Sequence, residues 1–328
     1  MALSVPLRLG VMADKHAAER SCIFSIDVED WFHILDLPST PQVSEWDALP
    51  SRVEANFLKL LNILSETGVK GTCFFLGWVA KKFPHLVGEA LSRGHEIASH
   101  GFSHQLVYRM TAQEFYEDAA RAKKTIEDIG GTRVLGYRAS GFSVTLETPW
   151  FAEQLIEAGY QYDSSIFPAT RGHGGLRNGN TAPYVLDAQR GFVEFPISVQ
   201  KVCGKPLCFF GGGYLRFFPY TVIRKMTRKV LSEGRPAIFY VHPREIDPEH
   251  PRLPMGRGRE FKSYVNLRST ESKIRRLASE FKMTSFANFL LENPFERDGG
   301  HAAEANELDV ASAISSGVQS GNATEGMA

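Results

Sequence analysis

The chain has 328 residues, with 37 basic and 37 acidic side chains, 43% apolar and 23% charged, and a formal charge of zero gives no long-range attraction to nucleic acid or an anionic membrane. No run approaches the roughly 18 apolar residues of a membrane span, and four cysteines without CxxC spacing exclude a zinc knuckle and a disulfide scaffold. Pro6 and Arg8 interrupt the apolar N-terminus and no basic stretch precedes it, so it does not read as a signal peptide; the compartment expected is the cytoplasm, with peripheral attachment to the inner membrane as the alternative.

From Arg20 to about Asn293, strand-like runs alternate with amphipathic helices, the pattern of a mostly parallel sheet covered by helices. Cys22–Ile26, β-branched and aromatic, reads as a buried strand ending in three acids, Asp27, Glu29 and Asp30. Val53, Phe57, Leu60, Leu61 and Leu64 mark a helix that stops near Gly68. Gly71–Leu76 is the next strand, and helices over Val79–Phe83 and Leu86–Ser92 lead to a third at Glu96–Ala98, followed by His100 and His104. Thr111 and Glu114 form a capping box for a helix that reaches Ile129 and is stopped by Gly130-Gly131. Val134–Tyr137 is a short strand ending at Arg138, and Pro149 opens a helix reaching Ala158-Gly159. Strands follow at Tyr160–Asp163 and Phe192–Pro196, then a basic helix at Thr221–Ser232 and a buried strand at Ala237–Val241, which ends at His242.

Two regions break this rhythm. Leu207–Tyr220, with Gly211-Gly212-Gly213 flanked by Phe209, Phe210, Tyr214, Phe217 and Phe218, predicts a structured loop or hairpin rather than a helix. Residues 294–328 are poor in aromatics and read as a disordered tail, as residues 1–19 read as a flexible N-terminus. Arginines 252, 257, 259 and 268 read as a solvated basic loop rather than as contacts to an anionic polymer.

A four-residue step places His100 and His104 on one side of a helical turn, where they can hold one divalent ion if a third side chain completes an open site. The acids after the first strand are candidates for that ligand. Catalytic groups in parallel sheets sit at the C-terminal strand ends. Taken singly, Arg138 is a surface cation, Asp163 a turn residue and His242 a loop residue; their joint placement at successive strand ends is what those readings leave unexplained.

With these motifs in order, Ser25–Asp30, Ser99–His104, Arg138–Phe142, Asp163–Ser165 and Val241-His242, the chain resembles the NodB-type polysaccharide deacetylases, carbohydrate esterase family 4. It is most similar to their exopolysaccharide-locus branch, which carries a C-terminal segment of the DUF3473 type, here about residues 200–293. The resemblance implies an α/β fold, a distorted, incomplete (β/α)7 barrel forming a single domain over residues 20–293. It implies one divalent metal ion, zinc first with cobalt, manganese or nickel as substitutes, bound by His100, His104 and either Glu29 or Asp30. Asp27 is then the general base, Arg138 the residue that orients it, His242 the general acid and Asp163 the residue that tunes His242. An oxyanion donor is expected among the backbone N–H groups of Arg138–Phe142. Phe142, Trp31 and Tyr214 are the candidates for a sugar-stacking surface.

The activity this implies is removal of N-acetyl groups from an N-acetylated glycan in exopolysaccharide biosynthesis, with neither nucleic acid nor a transmembrane span involved. Hydrolysis of a cyclic amide in the manner of allantoinase, or deacetylation of peptidoglycan, is the alternative on the same fold. A non-catalytic glycan-binding or scaffold protein is the alternative of a different class.

Overall fold

In the computed structural model, which describes residues 21–169, 174–176 and 179–295, the run Cys22–Val28 (β1) is buried along its whole length, as a strand covered on both faces must be. In chain order there follow Val53–Thr67 (α1), Thr72–Phe75 (β2), Gly77–Lys82 (α2), Pro84–Ser92 (α3), Glu96–Ser99 (β3), Ala112–Gly130 (α4), Gly136–Tyr137 (β4), Phe151–Glu157 (α5) and Tyr162–Asp163 (β5). The second half contributes Tyr184–Asp187 (β6), Phe192–Glu194 (β7), the hairpin Gln200–Val202 (β8) and Lys205–Leu207 (β9), Gly212–Phe217 (α6), Tyr220–Ser232 (α7) and Ile238–Val241 (β10). Arg257–Tyr264 (α8), Leu267–Glu280 (α9), Met283–Thr284 (β11) and Phe286–Glu292 (α10) complete it. The termini expected to be flexible lie outside the described residues.

The strands β10, β1, β2, β3, β4, β5 and β7 form one parallel sheet in that order, with β6 antiparallel to β7 and β11 paired to the start of β1. This is the incomplete (β/α)7 barrel that the motifs implied. No ladder joins β7 to β10 among the described residues; Ser198 bridges that side, its hydroxyl donating to Pro236 O and accepting from Ile238 N. A buried strand N–H that lacks a ladder partner is thereby satisfied.

One apolar cluster lies between the sheet and its helices, and a second, including Ile23, Phe74, Leu135, Tyr162, Val193, Phe195 and Tyr240, fills the interior. Phe286 at the start of α10 packs against Phe74, Tyr162 and Phe195, with ring centroids 5.0–5.6 Å away. Its N–H donates to Thr72 Oγ1. These contacts close the end of the barrel opposite the reactive strand ends. Among the described residues no helix is long and apolar enough to cross a membrane.

The glycine-rich stretch departs from expectation: Gly212–Phe217 is a short helix rather than a loop or hairpin, and the hairpin, β8–β9, lies just before it. Gly211 pairs with Tyr240, and a Cβ there would come within 2.2 Å of that ring. The glycines thus serve close packing against β10, which composition alone cannot separate from a flexible loop.

Truncating the aromatic plug removes contacts to three strands at once. Phe286→Ala is expected to cost about 3–5 kcal/mol, read as a lower midpoint in urea unfolding; a change below about 1 kcal/mol would contradict its role.

Candidate active site

Alternation along β1 decides the first side chains. Phe24, Ile26 and Val28 face the helices, whereas Ile23, Ser25 and Asp27 face the interior. Asp27 Oδ1 accepts from Arg138 Nη1 at 2.7 Å, and the same nitrogen donates to Ser25 Oγ at 2.7 Å. Arg138 is fully buried: Nε and Nη2 donate to Ser164 O and Oγ, and the guanidinium lies 4.1 Å from the Phe74 ring centroid. A buried guanidinium and carboxylate in mutual contact answer each other's desolvation.

His100 and His104 leave β3 in a loop, not in the helical turn that their spacing suggested. The backbone is left-handed at Gly101 (φ +75) and at His104 (φ +52), a conformation uncommon for a residue with a Cβ. Asp118 on α4 pins this loop, accepting from Phe102 N at 2.7 Å and Ser103 N at 3.1 Å. Gly77 and Trp78 at the start of α2 donate to Gly101 O and Phe102 O. Asp118 was not among the residues expected to matter. Its signal is an acid on the apolar stripe of α4, beside Phe115, Ala119 and Ala122.

The loop delivers His100 Nε2 by committing its other nitrogen, since Nδ1–H donates to Arg138 O at 2.8 Å. His104 Nε2 lies 2.6 Å from Glu29 Oε2. Glu29, His100 and His104 are all buried, and their candidate ligand atoms lie within 4.8 Å of one another. Burial pushes the His100 imidazole down to about 4, which keeps it neutral. Burial would raise the Glu29 carboxyl, but His104, His242 and His100 outweigh it and hold that group well below the usual carboxylate range. Two imidazoles and a carboxylate form the donor set of an open divalent-metal site.

Asp30, the other acid considered for this group, is turned away. It accepts from Trp31 N, Ser51 Oγ, Arg52 N and Val53 N, and so caps the start of α1.

His242 follows β10, with Nε2 3.7 Å from Asp27 Oδ2 and 3.6 Å from Glu29 Oε1. Asp163 does not meet it. Ser165 Oγ and N donate to Asp163, which faces Glu194 on the adjoining strand. Burial raises Asp163 to about 6 and Glu194 well above its usual value, as expected of two adjacent carboxyls sharing a proton. The acid beside His242 is Glu245, with Oε2 3.6 Å from Nδ1. Burial would raise the Glu245 carboxyl, but Arg216 and then His242 hold it down at about 2. His242-Pro243-Arg244-Glu245 is a reciprocal cap, in which His242 N donates to Glu245 Oε2 and Glu245 N to His242 O. Proline first and an acid third after His242 was the legible sign. Burial lowers the His242 pKa, but Glu29, Glu245 and Asp27 together raise it above the usual imidazole value.

Asp27, Glu29, His100, His104 and His242 line one end of a cavity of about 660 Å³, whose walls include Phe142 and Tyr214. Trp31, expected on that surface, is only 6% exposed; its indole packs edge-on against Phe32 and donates to Pro50 O. His33 lines the cavity instead, its ring 5.4 Å from that of His104, and burial followed by the His104 charge holds it well below the usual imidazole range. In the loop expected to supply an oxyanion donor, the N–H groups of Arg138, Ala139 and Phe142 are taken up by Ser99 O, Ser165 Oγ and Ala139 O.

Residues 42–162 match the family model described as polysaccharide deacetylase, and residues 164–291 match a domain of unknown function, DUF3473. A peptidoglycan deacetylase of Helicobacter pylori is 26% identical over 113 residues, 34% of this chain and 38% of that protein. A peptidoglycan-N-acetylglucosamine deacetylase of Bacillus cereus is 30% identical over 73 residues, 22% of this chain and 26% of that protein. The chain therefore spans well under half the length of these curated relatives. Among solved structures, a Mycobacterium smegmatis protein named as a polysaccharide deacetylase aligns with TM-score 0.56 and 19% identity over 87% of this chain and 95% of that one. The PuuE allantoinase aligns with TM-score 0.54 and 16% identity over 84% and 91%. Both share the fold.

The geometry separates the two acids experimentally. After loading with zinc and dialysis, Glu29→Gln is expected to lose bound metal by elemental analysis, whereas Asp30→Asn keeps it and loses about 1–3 kcal/mol of stability through its capping bonds. Metal loss from Asp30→Asn alone would reverse the assignment.

Proposed function

We propose that this chain, which carries a polysaccharide deacetylase domain of the NodB/CE4 type joined to a DUF3473 domain, is a metal-dependent hydrolase that removes N-acetyl groups from an N-acetylated glycan during exopolysaccharide assembly. The observation that carries this reading is the convergence of Asp27, His242 and the Glu29, His100 and His104 group at one end of one cavity. Residues 20–293 act as one catalytic unit, because Asp27 and Glu29 precede the first matched segment and His242 lies in the second.

Glu29, His100 and His104 would hold a divalent ion, which supplies a Lewis acid to polarise the amide carbonyl and acidify water; zinc suits this donor set, with cobalt, manganese or nickel as substitutes. Arg138 engages Asp27 Oδ1, while Oδ2 is the atom nearer His242. Asp27 takes a proton from the water that attacks the acetyl carbon. As the carbon–nitrogen bond breaks, His242 protonates the leaving nitrogen, so that acetate and a free amine are formed. The relatives named as peptidoglycan deacetylases support an N-acetyl amide as the bond cleaved.

The direct test is acetate release from N-acetylglucosamine oligomers, compared with ring opening of allantoin and with simple glycan binding without turnover. Chelation should abolish acetate release and zinc should restore it. Asp27→Asn should retain metal while kcat falls about 10²–10⁴-fold. Ring opening without acetate release, or undiminished turnover by Asp27→Asn, would sink the reading.

A pH profile tests His242. A general acid works only while protonated, so kcat should decline as pH rises through the His242 pKa. An alkaline limb that persists unchanged in His242→Asn would remove His242 from this role.

A further inference from the structure

Much of the cavity lining comes from the C-terminal segment, and part of that lining is chemically unlike the metal end. Phe217 and Phe261 line it while remaining 51% and 55% exposed, with their rings edge-to-face at 6.1 Å. Among the described residues they are the exposed large hydrophobic side chains that are aromatic. Arg244 and Arg259 line the same cavity. Arg244 Nη1 makes a 3.5 Å contact to Ser263 O, and Arg259 Nη2 donates to Leu35 O at 3.0 Å.

Neither arginine forms an ion pair with a described carboxylate. Each has a buried Nε–H without a partner among the described residues. By contrast, Arg252 and Arg268 are exposed and sit beside Glu260 and Glu249; of the four arginines expected on a solvated loop, Arg257 and Arg259 lie in α8 and Arg268 in α9. Arg216, the third arginine of the cavity, also has an unpartnered Nε, but its other nitrogens pair with Glu245 and donate to the Lys262 and Ser263 carbonyls. The acids lining the cavity are Asp27 and Glu29, both at the metal end. Unsatisfied, partly buried guanidinium donors carry a standing desolvation cost, which an oxyanion relieves through charge-assisted hydrogen bonds. Exposed aromatic rings beside them offer apolar faces for a sugar ring.

We propose that this part of the lining is a second subsite, in which Arg244 and Arg259 bind an anionic substituent, carboxylate or phosphate, on a sugar next to the acetylated one, and Phe217 and Phe261 pack against that sugar's ring. The inference rests on the deacetylase reading for the sugar at the metal end. It makes the substrate an acidic N-acetylated glycan and assigns its selection to the DUF3473 part of the chain.

The test uses the full chain carrying Asp27→Asn to suppress turnover and measures binding by calorimetry. The probes are a neutral N-acetylglucosamine tetramer, the same tetramer bearing a 1-phosphate, and a tetrasaccharide alternating glucuronate with N-acetylglucosamine. At least one anionic probe should bind about tenfold more tightly than the neutral tetramer at low salt, with the preference shrinking as salt rises; which one does so identifies the anion. Adding Arg244→Gln and Arg259→Gln together should bring that ratio to about one. Phe217→Ala with Phe261→Ala should weaken the preferred probe about tenfold. Equal affinity for all three probes, or a preference retained in the double arginine variant with an unchanged circular dichroism spectrum and melting temperature, overturns the subsite. Failure of acetate release with the anionic preference intact removes the deacetylase reading and leaves the subsite standing.

Discussion

The buried contact between Arg138 and Asp27 is the constraint on which the other strand ends depend. Arg138 joins β1 through Ser25 and Asp27 and the chain after β5 through Ser164, while its carbonyl receives the His100 imidazole. One residue, through its guanidinium and its carbonyl, therefore fixes the Asp27 carboxylate, the His100 imidazole and the mutual placement of three strand ends. Removing either partner of such a pair leaves an uncompensated buried charge, at a cost of about 3–5 kcal/mol. The barrel interior at this level is consequently polar, networked and rigid, whereas the level below is closed by the rings around Phe286.

Around that contact the other buried charges are also answered locally. Glu29 meets His104, Glu245 meets Arg216, and Asp163 lies beside Glu194, where burial raises both carboxyls. The last pair lies behind Arg138, which shows why Asp163 is unavailable to His242: its partners are the next strand and its own turn. Glu245 takes that place because the turn after β10 folds back on His242. The C-terminal segment is thus structurally continuous with the site, since it supplies His242, buttresses it through Glu245 and Arg216, and lines much of the cavity.

The histidine loop illustrates how geometry can reach an expected outcome by an unexpected route. A four-residue spacing suggests one face of a helix, yet His100 and His104 converge through left-handed backbone at Gly101 and His104. The strain is held by Asp118 and by the start of α2. Such strain persists only where surroundings over-determine the conformation, and here both of those supports lie outside the motif.

The buried strand at Cys22–Ile26 and the acids that follow it were legible in the residues alone. So were the order of strands and helices, the capping box at Thr111, and the recurrence of reactive side chains at strand ends, because each follows from local pattern. Strand alternation puts Glu29 on the side of Asp27, but what removes Asp30 belongs to Ser51, Arg52 and Val53, which arrive more than 20 residues later and claim it. Trp31 likewise left the cavity for the core because Pro50 O receives its indole N–H. The pinning by Asp118 and the gathering of Arg244 and Arg259 into one cavity with Phe217 and Phe261 depend on elements distant in the chain, whereas Glu245 meets His242 through a local cap. The sequence by itself determined which chemistries are present and on which strand ends they ride; only the tertiary structure decided which side chains meet, because buried polar groups take whichever partner the packing brings within hydrogen-bond reach.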